Sequence, residues 1–455
     1  MTKQILIIGG GLSGLSLLHH FYRRFGNRED IKLRLLERES HPGGDISTRE
    51  VDGCLFEGGP NGFLNNRESL LQIIDDLKLK DQVIEASPQA ARRYIVYKNA
   101  LHCLPSGPRG LFGFAPLPLM SKLRIFAEYF VPKGGDPDET VAEFGRRRFG
   151  RNFARYLLDP MVSGVFAGRS DELVLRECFP RIHELEQEHG SLIHALLTAR
   201  KASGGMSGRI SFGGKLCSLK KGMGQLTGRL YEKYKDLIGL AEPVLGIEPS
   251  GGGYVVPTGR MKYYADELYI CTPAKEAARL LKGVDNGLAE NLERIEYVPV
   301  CVAGLVYNKE KTPDIPQGFG FLVPSDQQQG PVLGVLFSDQ IFPGRCHPDK
   351  RLCRIMIGGG RHREVAEWND EKIIDTARQA VKIFCKVDAV PARVVLKVHR
   401  KGIPQYTRRY SGLKKHIERH LAEHPHLHLN SNYIGGISMN DCAANSRSAA
   451  EKLDI

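Results

Sequence analysis

The residues best placed to do chemistry come first in the chain. An apolar run, Ile5-Leu6-Ile7-Ile8, leads into Gly9-Gly10-Gly11-Leu12-Ser13-Gly14, and a helix-like run, Leu15-Ser16-Leu17-Leu18, follows. Strand, glycine-rich turn and helix in that order make an anion site. Gly9 permits the tight turn, Gly11 lets backbone approach a pyrophosphate, and Gly14 lets helix and strand pack closely. The pyrophosphate would rest on the helix N-terminus, where free N–H groups and the helix dipole favour negative charge. About 20 residues on, the alternating run Ile31-Lys32-Leu33-Arg34-Leu35-Leu36 ends at Glu37, where a carboxylate can accept hydrogen bonds from a ribose. This spacing predicts a dinucleotide site.

Those groups need elements to hold them. The chain has 455 residues, 42% hydrophobic and 25% charged, enough for two or three domains with sizeable cores. Residues 1 to about 90 read as βαβ, turns and a helix. Residues 91 to about 200 begin with a short strand and continue through Leu111–Met120, an apolar segment broken by Pro116 and Pro118. That segment is too short to span a bilayer; it reads equally as a membrane-facing patch or as a buried loop. Arginine-rich helices follow. Residues 210–290 return to strand and turn, with Glu242–Ile247 predicted as a strand. Residues 297–360 carry short apolar strands separated by Gly and Pro, which predicts a mainly antiparallel sheet. The last 30 residues read as strand, glycine-rich turn and polar helix.

The formal net charge is +12. The excess is spread along the chain and no nucleic-acid motif accompanies it, so an anionic membrane face, an acidic small molecule and a merely solvated basic surface remain. Ten cysteines include no C-x-x-C pair. Neither a zinc site nor a disulfide framework is predicted, and free thiols point to a reducing compartment. The first strand begins at Ile5, leaving no room for a signal peptide, and no stretch of 18 apolar residues occurs. The expectation is a cytoplasmic protein, at most peripheral on the inner face of a membrane. No Ser-His-Asp set and no paired carboxylates are visible, so no catalytic acid or base and no metal are expected.

Several ordered motifs then agree with one family. They are Gly9–Gly14, Glu37, Gly43-Gly44, Phe56-Glu57-x-Gly59-Pro60-Asn61-x-Phe63, Ala100-Leu101-His102-x-Leu104-Pro105, Ser163-Gly164-Val165-Phe166-Ala167-Gly168, Lys221-Gly222-Met223-x-x-Leu226, Gly318-Phe319-Gly320-x-Leu322-Val323-Pro324, Ile403-Pro404-Gln405-Tyr406 and Gly436-x-x-x-Asn440-Asp441-Cys442. The chain resembles the flavin-containing amine oxidase superfamily and, within it, the oxygen-dependent protoporphyrinogen oxidases. The resemblance implies an α/β fold: a Rossmann-type FAD-binding domain built discontinuously from 1–90, 205–290 and 400–455, a helical substrate and membrane-associating domain at 91–204, and a mixed substrate-binding domain with an antiparallel sheet at 291–399. It implies FAD held by Gly9, Gly10, Gly11, Leu12, Ser13, Gly14, Glu37, Arg38, Gly44, Asp45, Gly59, Pro60, Asn61, Gly62, Val244, Asn432, Ile437, Ser438 and Met439. For Met439 alone, core packing is the simpler reading. It implies a porphyrinogen whose propionate pairs with Arg93 and whose ring lies among Leu322, Leu333 and Met356, with Gly164 and Gly168 letting backbone approach; core packing is the equal alternative for the three apolar side chains.

The chemistry implied is haem-pathway oxidation. Hydride would pass from a methylene bridge to the flavin, a pyrrole N–H would lose its proton, and dioxygen would be reduced to hydrogen peroxide, in three rounds. Protoporphyrinogen IX is the first substrate, coproporphyrinogen III the alternative, and a homodimer is open. A non-catalytic flavin- or tetrapyrrole-binding homologue is the competing class. It would draw on departures from the family pattern: Asn430-Ser431-Asn432 where Ala-Gly-Asn is usual, Arg169-Ser170 after Ala167-Gly168, Asp45 after Gly43-Gly44, and Ala443-Ala444-Asn445-Ser446 after Cys442. Ser431 in a glycine position predicts a crowded turn.

Overall fold

The computed structural model describes residues 2–202, 214–327 and 330–454. The first βαβ unit is strand β1 (Lys3–Ile8), helix α1 (Leu12–Phe25) and strand β2 (Ile31–Leu36). Two hairpins follow, β3 (Thr48–Val51) with β4 (Cys54–Glu57), and β5 (Arg93–Tyr97) with β6 (Ala100–Cys103). Helices then dominate to residue 202, among them α2 (Asp159–Phe166). Next come helix α3 (Gly224–Tyr234) and the strands β7 (Ile238–Gly239) and β8 (Glu267–Ile270). After them lie β9 (Tyr297–Asn308), β10 (Gly320–Leu322), β11 (Val332–Phe337) and β12 (Lys350–Gly358). The chain closes with α4 (Asp370–Cys385), β13 (Arg393–Pro404), α5 (Arg408–Ala422), β14 (Leu427–Leu429) and α6 (Met439–Lys452).

Two sheets organise the molecule. The first is five-stranded, in order β7-β2-β1-β8-β14, with every pairing parallel. Its central strands are apolar on both faces, as a parallel sheet covered on both sides requires. One face packs Leu15, Leu18 and Phe21 of α1 with Leu226 and Leu230 of α3 and Ala443 of α6. The other packs Leu268 and Ile270 against Ala277, Leu281 and Leu413. Segments more than 400 residues apart in the chain thus share one sheet.

The second sheet is seven-stranded, in order β13-β9-β12-β11-β10-β5-β6, antiparallel except for the parallel pair β10–β5. Its strands extend beyond the 291–399 span expected from sequence. The β5–β6 hairpin joins it because Arg93, Tyr94 and Ile95 pair with Gly320, Phe321 and Leu322, giving the edge of β10 backbone partners. Its rear face buries Phe321, Val335 and Ile355 against Ile373, Ala377, Val381 and Phe384 of α4. Its front face, carrying alternate residues, looks towards the β3–β4 hairpin and α2.

Two features were not legible in the sequence. Cys54 and Cys346 form a disulfide, their Cα atoms 4.0 Å apart across an isolated antiparallel bridge. This corrects the expectation of ten free thiols and removes the argument for a reducing compartment; a separation of 292 residues hides such a pair from any spacing rule. Glu242–Ile247 is not a strand: only Val244 makes an isolated bridge, to Thr258. Pro243 and the outward Leu245 deny the segment a ladder.

The end of the parallel sheet at which β1 and β8 begin carries a charge device. Glu267, buried on β8, gathers Lys3 at 3.0 Å, His426 at 3.1 Å and His428 at 2.9 Å. Burial pushes its carboxyl up, but His428, Lys3 and His426 outweigh burial and hold it at about 2, against 4.5 ordinarily. A depressed carboxyl stabilises the fold fully above its unfolded pKa and loses that contribution as pH falls through its folded one, here of the order of 3 kcal/mol. Glu267→Gln is expected to lower the unfolding temperature at pH 7 and to flatten the acid limb between roughly pH 5 and 2. Superimposable acid limbs for variant and parent, followed by circular dichroism, would dismiss the effect.

Candidate functional site

The glycine turn has the geometry its spacing predicts. A Cβ on Gly14 would land on the Gly9 carbonyl oxygen, and Gly9 itself sits at φ 108°. A Cβ on Gly11 would meet nothing within 4 Å. The open side of the turn is therefore the side that a ligand would use. Gly11 is the N-cap of α1 and no side chain caps that end. Leu12 and Ser13 are buried, and the Ser13 carbonyl is taken by Ser446 Oγ at 2.9 Å.

Glu37 does more than a ribose acceptor needs to. One carboxylate oxygen accepts from the Gly10 N–H at 2.5 Å and the other from the Glu39 N–H at 2.8 Å, so it braces the turn it serves. Gly43 donates to the Gly10 carbonyl at 2.8 Å, and a Cβ on Gly44 would come within 3.2 Å of Gly11 Cα. Arg38 is turned to solvent, paired with Glu39 at 3.1 Å. Asp45 is exposed and pairs with His399 at 3.2 Å.

The turn Gly59–Gly62 is fixed by close backbone approaches. A Cβ on Gly59 would strike the Asp45 carbonyl oxygen, and one on Gly62 the Cys217 carbonyl oxygen. Asn61 beside them holds a shielded Nδ2 with no hydrogen-bond partner. The Val244 carbonyl accepts from Arg279 at 2.9 Å. At the C-terminal end the left-handed positions are Gly435 (φ 75°) and Gly436 (φ 118°), not Ser431. Ser431 is buried in an ordinary conformation, so the crowding expected from it does not arise; its carbonyl accepts from Ile434 N at 3.0 Å. Asn432 gives its carbonyl to the Tyr406 hydroxyl at 2.6 Å. Ile437 leads into Ser438, the N-cap of α6, which forms a capping box with Asp441. The Met439 side chain is buried in the core, as its simpler reading had it.

The front of the seven-stranded sheet brings the apolar residues together. Leu322, Gly334 and Met356 are register partners on β10, β11 and β12 and so share one face. The register shifts between Val332 and Gly334, and this bulge turns Leu333 to the same side, where it packs with Ala167 and Met356. Opposite stands α2: a Cβ on Gly164 would lie 2.9 Å from Leu322 Cδ2. Gly168 behaves otherwise. The space beside it is filled by Gln405, whose Nε2 donates to the Phe166 carbonyl at 3.0 Å. The Ile403–Tyr406 motif is thus a brace between α2 and the C-terminal turn.

Arg93 pairs with Gly320 at the start of β10, and its guanidinium lies 4.8 Å above the Phe319 ring. Burial lowers its pKa from the ordinary value, and among the described residues no carboxylate pairs with it. An arginine so placed is a free anchor for an anion.

Sequence reasoning gave no role to Thr272, Glu57, Arg345 or Arg354. Thr272 sits beside Gly9 with a shielded, unpartnered hydroxyl. Glu57, Arg345 and Arg354 cluster behind Gly59. The signal for Arg354 was there, a single charge inside the apolar run Leu352–Ile357. A cavity of about 720 Å³ between Val323, Trp368 and Phe384 lies behind the seven-stranded sheet and has no part in this site.

The comparisons with known proteins agree with this geometry. The family model for flavin-containing amine oxidoreductases matches residues 16–453. The protoporphyrinogen oxidase of Bos taurus is 31% identical over 100% of this chain and 98% of its own length. That of Homo sapiens is 31% identical over 99% and 98%. The coproporphyrinogen III oxidase of Bacillus subtilis (strain 168) is 24% identical over 98% and 97%. Among solved structures, an Exiguobacterium sp. 255-15 protein superposes with a TM-score of 0.81 at 22% identity, covering 99% and 98%. Reduced UDP-galactopyranose mutase gives 0.72 at 14%, covering 99% and 93%. The open face at Gly11, the uncapped helix end and the orphaned Asn61 amide all fit a bound FAD. The chain belongs to the flavin-containing amine oxidoreductase family, in its protoporphyrinogen oxidase branch, and is an FAD-dependent oxidoreductase.

Proposed function

We propose that this enzyme oxidises a porphyrinogen, protoporphyrinogen IX first, with dioxygen as the final acceptor, in haem biosynthesis. The arrangement that supports the reading is the shared apolar face of Leu322, Leu333 and Met356 with Gly164 packed against it, and Arg93, which has no carboxylate partner, on the neighbouring strand. A flat tetrapyrrole with carboxylate substituents needs such a slot and such an anchor. When bound, FAD would supply the two-electron acceptor that each round of such an oxidation needs.

The chain's own residues do the rest. Gly9–Gly14 and Glu37 would hold the pyrophosphate and ribose. Gly44, Gly59, Pro60, Asn61 and Gly62, with Val244 and the Asn432–Met439 turn, would line the remainder of the cofactor. Leu322, Leu333 and Met356 orient the macrocycle and exclude water from it. Arg93 fixes one propionate and so sets which edge of the ring goes in. The slot's apolar lining supplies proximity and orientation; no side chain is assigned as acid or base. The discontinuous unit 1–90, 205–290 and 400–455 carries the cofactor, and the remainder carries the substrate.

Among the described residues no helix is long and apolar enough to cross a membrane. Phe114 and Leu117 are buried, whereas Leu119, Met120 and Phe130 are 61%, 74% and 83% exposed. Arg109 and Lys133 flank them. This patch supports peripheral contact with an anionic membrane face, where a poorly soluble substrate would be met.

Anaerobic mixing tests the reading. The flavin absorbance of the purified protein should bleach within seconds of adding protoporphyrinogen IX and return on aeration. Bleaching by coproporphyrinogen III alone would transfer the assignment to that substrate, as the Bacillus subtilis relative's name suggests. Bleaching by neither would overturn it.

A further inference from the structure

Two buried arginines stand behind the Gly59–Gly62 turn. Arg345 pairs with the Glu57 carboxylate at 3.0 Å. That carboxylate also accepts from Thr48 Oγ1 at 2.7 Å and from the Met223 N–H at 2.9 Å. Arg354 is different. It lies on the front face of β12, two residues before Met356, and is 5% exposed. Its Nε donates to the Glu57 carbonyl at 2.8 Å and an Nη to the Gly59 carbonyl at 2.5 Å. Both acceptors are backbone, and among the described residues no carboxylate lies within ion-pair distance of it. Glu57 and Arg345 offset one another, which leaves one positive charge over.

Such a charge is costly to bury. Neutral carbonyls repay only part of the lost hydration, and a lysine could not grip two of them in one plane. Burial lowers the Arg354 pKa to about 10, with Glu57 opposing, so the group stays charged at neutral pH. Low local polarisability lets its field reach further than it would in water. The turn it grips is the one placed against the cofactor, and a flavin gains negative charge when reduced.

We infer that Arg354 is a positioning residue for electron transfer: it fixes the Gly59–Gly62 turn against FAD and holds an uncompensated positive charge behind it, favouring the reduced cofactor. This rests on the placement of that turn under the proposed function. It does not rest on the identity of the substrate.

The test is the midpoint potential of the bound flavin, measured on holoprotein by equilibration with reference dyes and without porphyrinogen. Arg354→Gln is expected to shift the ratio of oxidised to reduced flavin at fixed ambient potential at least tenfold towards oxidised, about 30 mV for two electrons. Arg354→Lys, which keeps the charge and loses the double grip, should retain most of the parent value. Glu57→Gln removes the offsetting negative charge and should shift the ratio the opposite way. Equal potentials for parent and Arg354→Gln would overturn the inference, as would a lysine variant displaced as far as the glutamine one. If Arg354→Gln does not retain flavin, the Lys and Glu57→Gln variants decide the matter, and an unmoved Glu57→Gln potential refutes it. Failure of porphyrinogen to bleach the flavin, with these shifts present, would remove the substrate assignment and leave Arg354 standing.

Discussion

Gly14→Ala and Gly11→Ala will both yield protein with less bound flavin, for different reasons that the apoproteins will reveal. A Cβ on Gly14 is directed onto the Gly9 carbonyl oxygen, with Cys271 Cβ 3.4 Å away. Both belong to the interface between α1 and the parallel sheet, so strand or helix must move. Such overpacking costs roughly 1–3 kcal/mol, and the apoprotein should melt several degrees lower. Gly11 has φ −72°, which alanine adopts freely, and its Cβ would meet nothing in the protein. The Gly11→Ala apoprotein should therefore melt with the parent. It should nonetheless bind FAD at least about tenfold more weakly, because the methyl group occupies the space through which backbone meets pyrophosphate. Calorimetry of the apoproteins and flavin titration separate the two. A Gly11→Ala protein that keeps full flavin affinity would show that the ligand does not use the open side of the turn.

Arg93→Ala will raise the KM for porphyrinogen by about 10- to 150-fold, the equivalent of the roughly 1.5–3 kcal/mol carried by a charge-assisted hydrogen bond. Flavin content and melting temperature should not change. The guanidinium supports no other side chain by ion pairing and merely lies over Phe319. The pattern expected is a KM effect with a small kcat effect, because the anchor is far from the bonds that change. Arg93→Lys should recover part of the loss, since it restores charge without the planar fork. Equal Michaelis constants for Arg93→Ala and parent would end the propionate assignment. A fall in flavin content instead would make Arg93 a structural residue of the β5–β10 seam.

How far the site was legible depended on the range of the interactions that build it. The Gly9–Gly14 turn and Glu37 rest on one βαβ unit, and spacing alone exposed them. Ser431 shows the limit. A serine for a glycine implied crowding, yet the structure draws its left-handed positions from Gly435 and Gly436, four and five residues later. Gly168 shows another: its missing side chain makes room for Gln405, and only the packing of α2 against residue 405 says so.

The sequence by itself determined the cofactor class, the parallel sheet at the nucleotide end and the family, because glycine turns and period-two strands are local patterns that read the same in any context. The tertiary structure alone decided the rest. Register across β10, β11 and β12 placed Leu322 and Met356 on one face, and a bulge brought Leu333 to join them. Burial against two carbonyls turned Arg354 from a lone charge in an apolar strand into the clamp of the Gly59 turn, and Cys54 met Cys346 across 292 residues. These are contacts between distant segments. Their energies depend on strand register and on exclusion of water, and neither exists until the chain has folded.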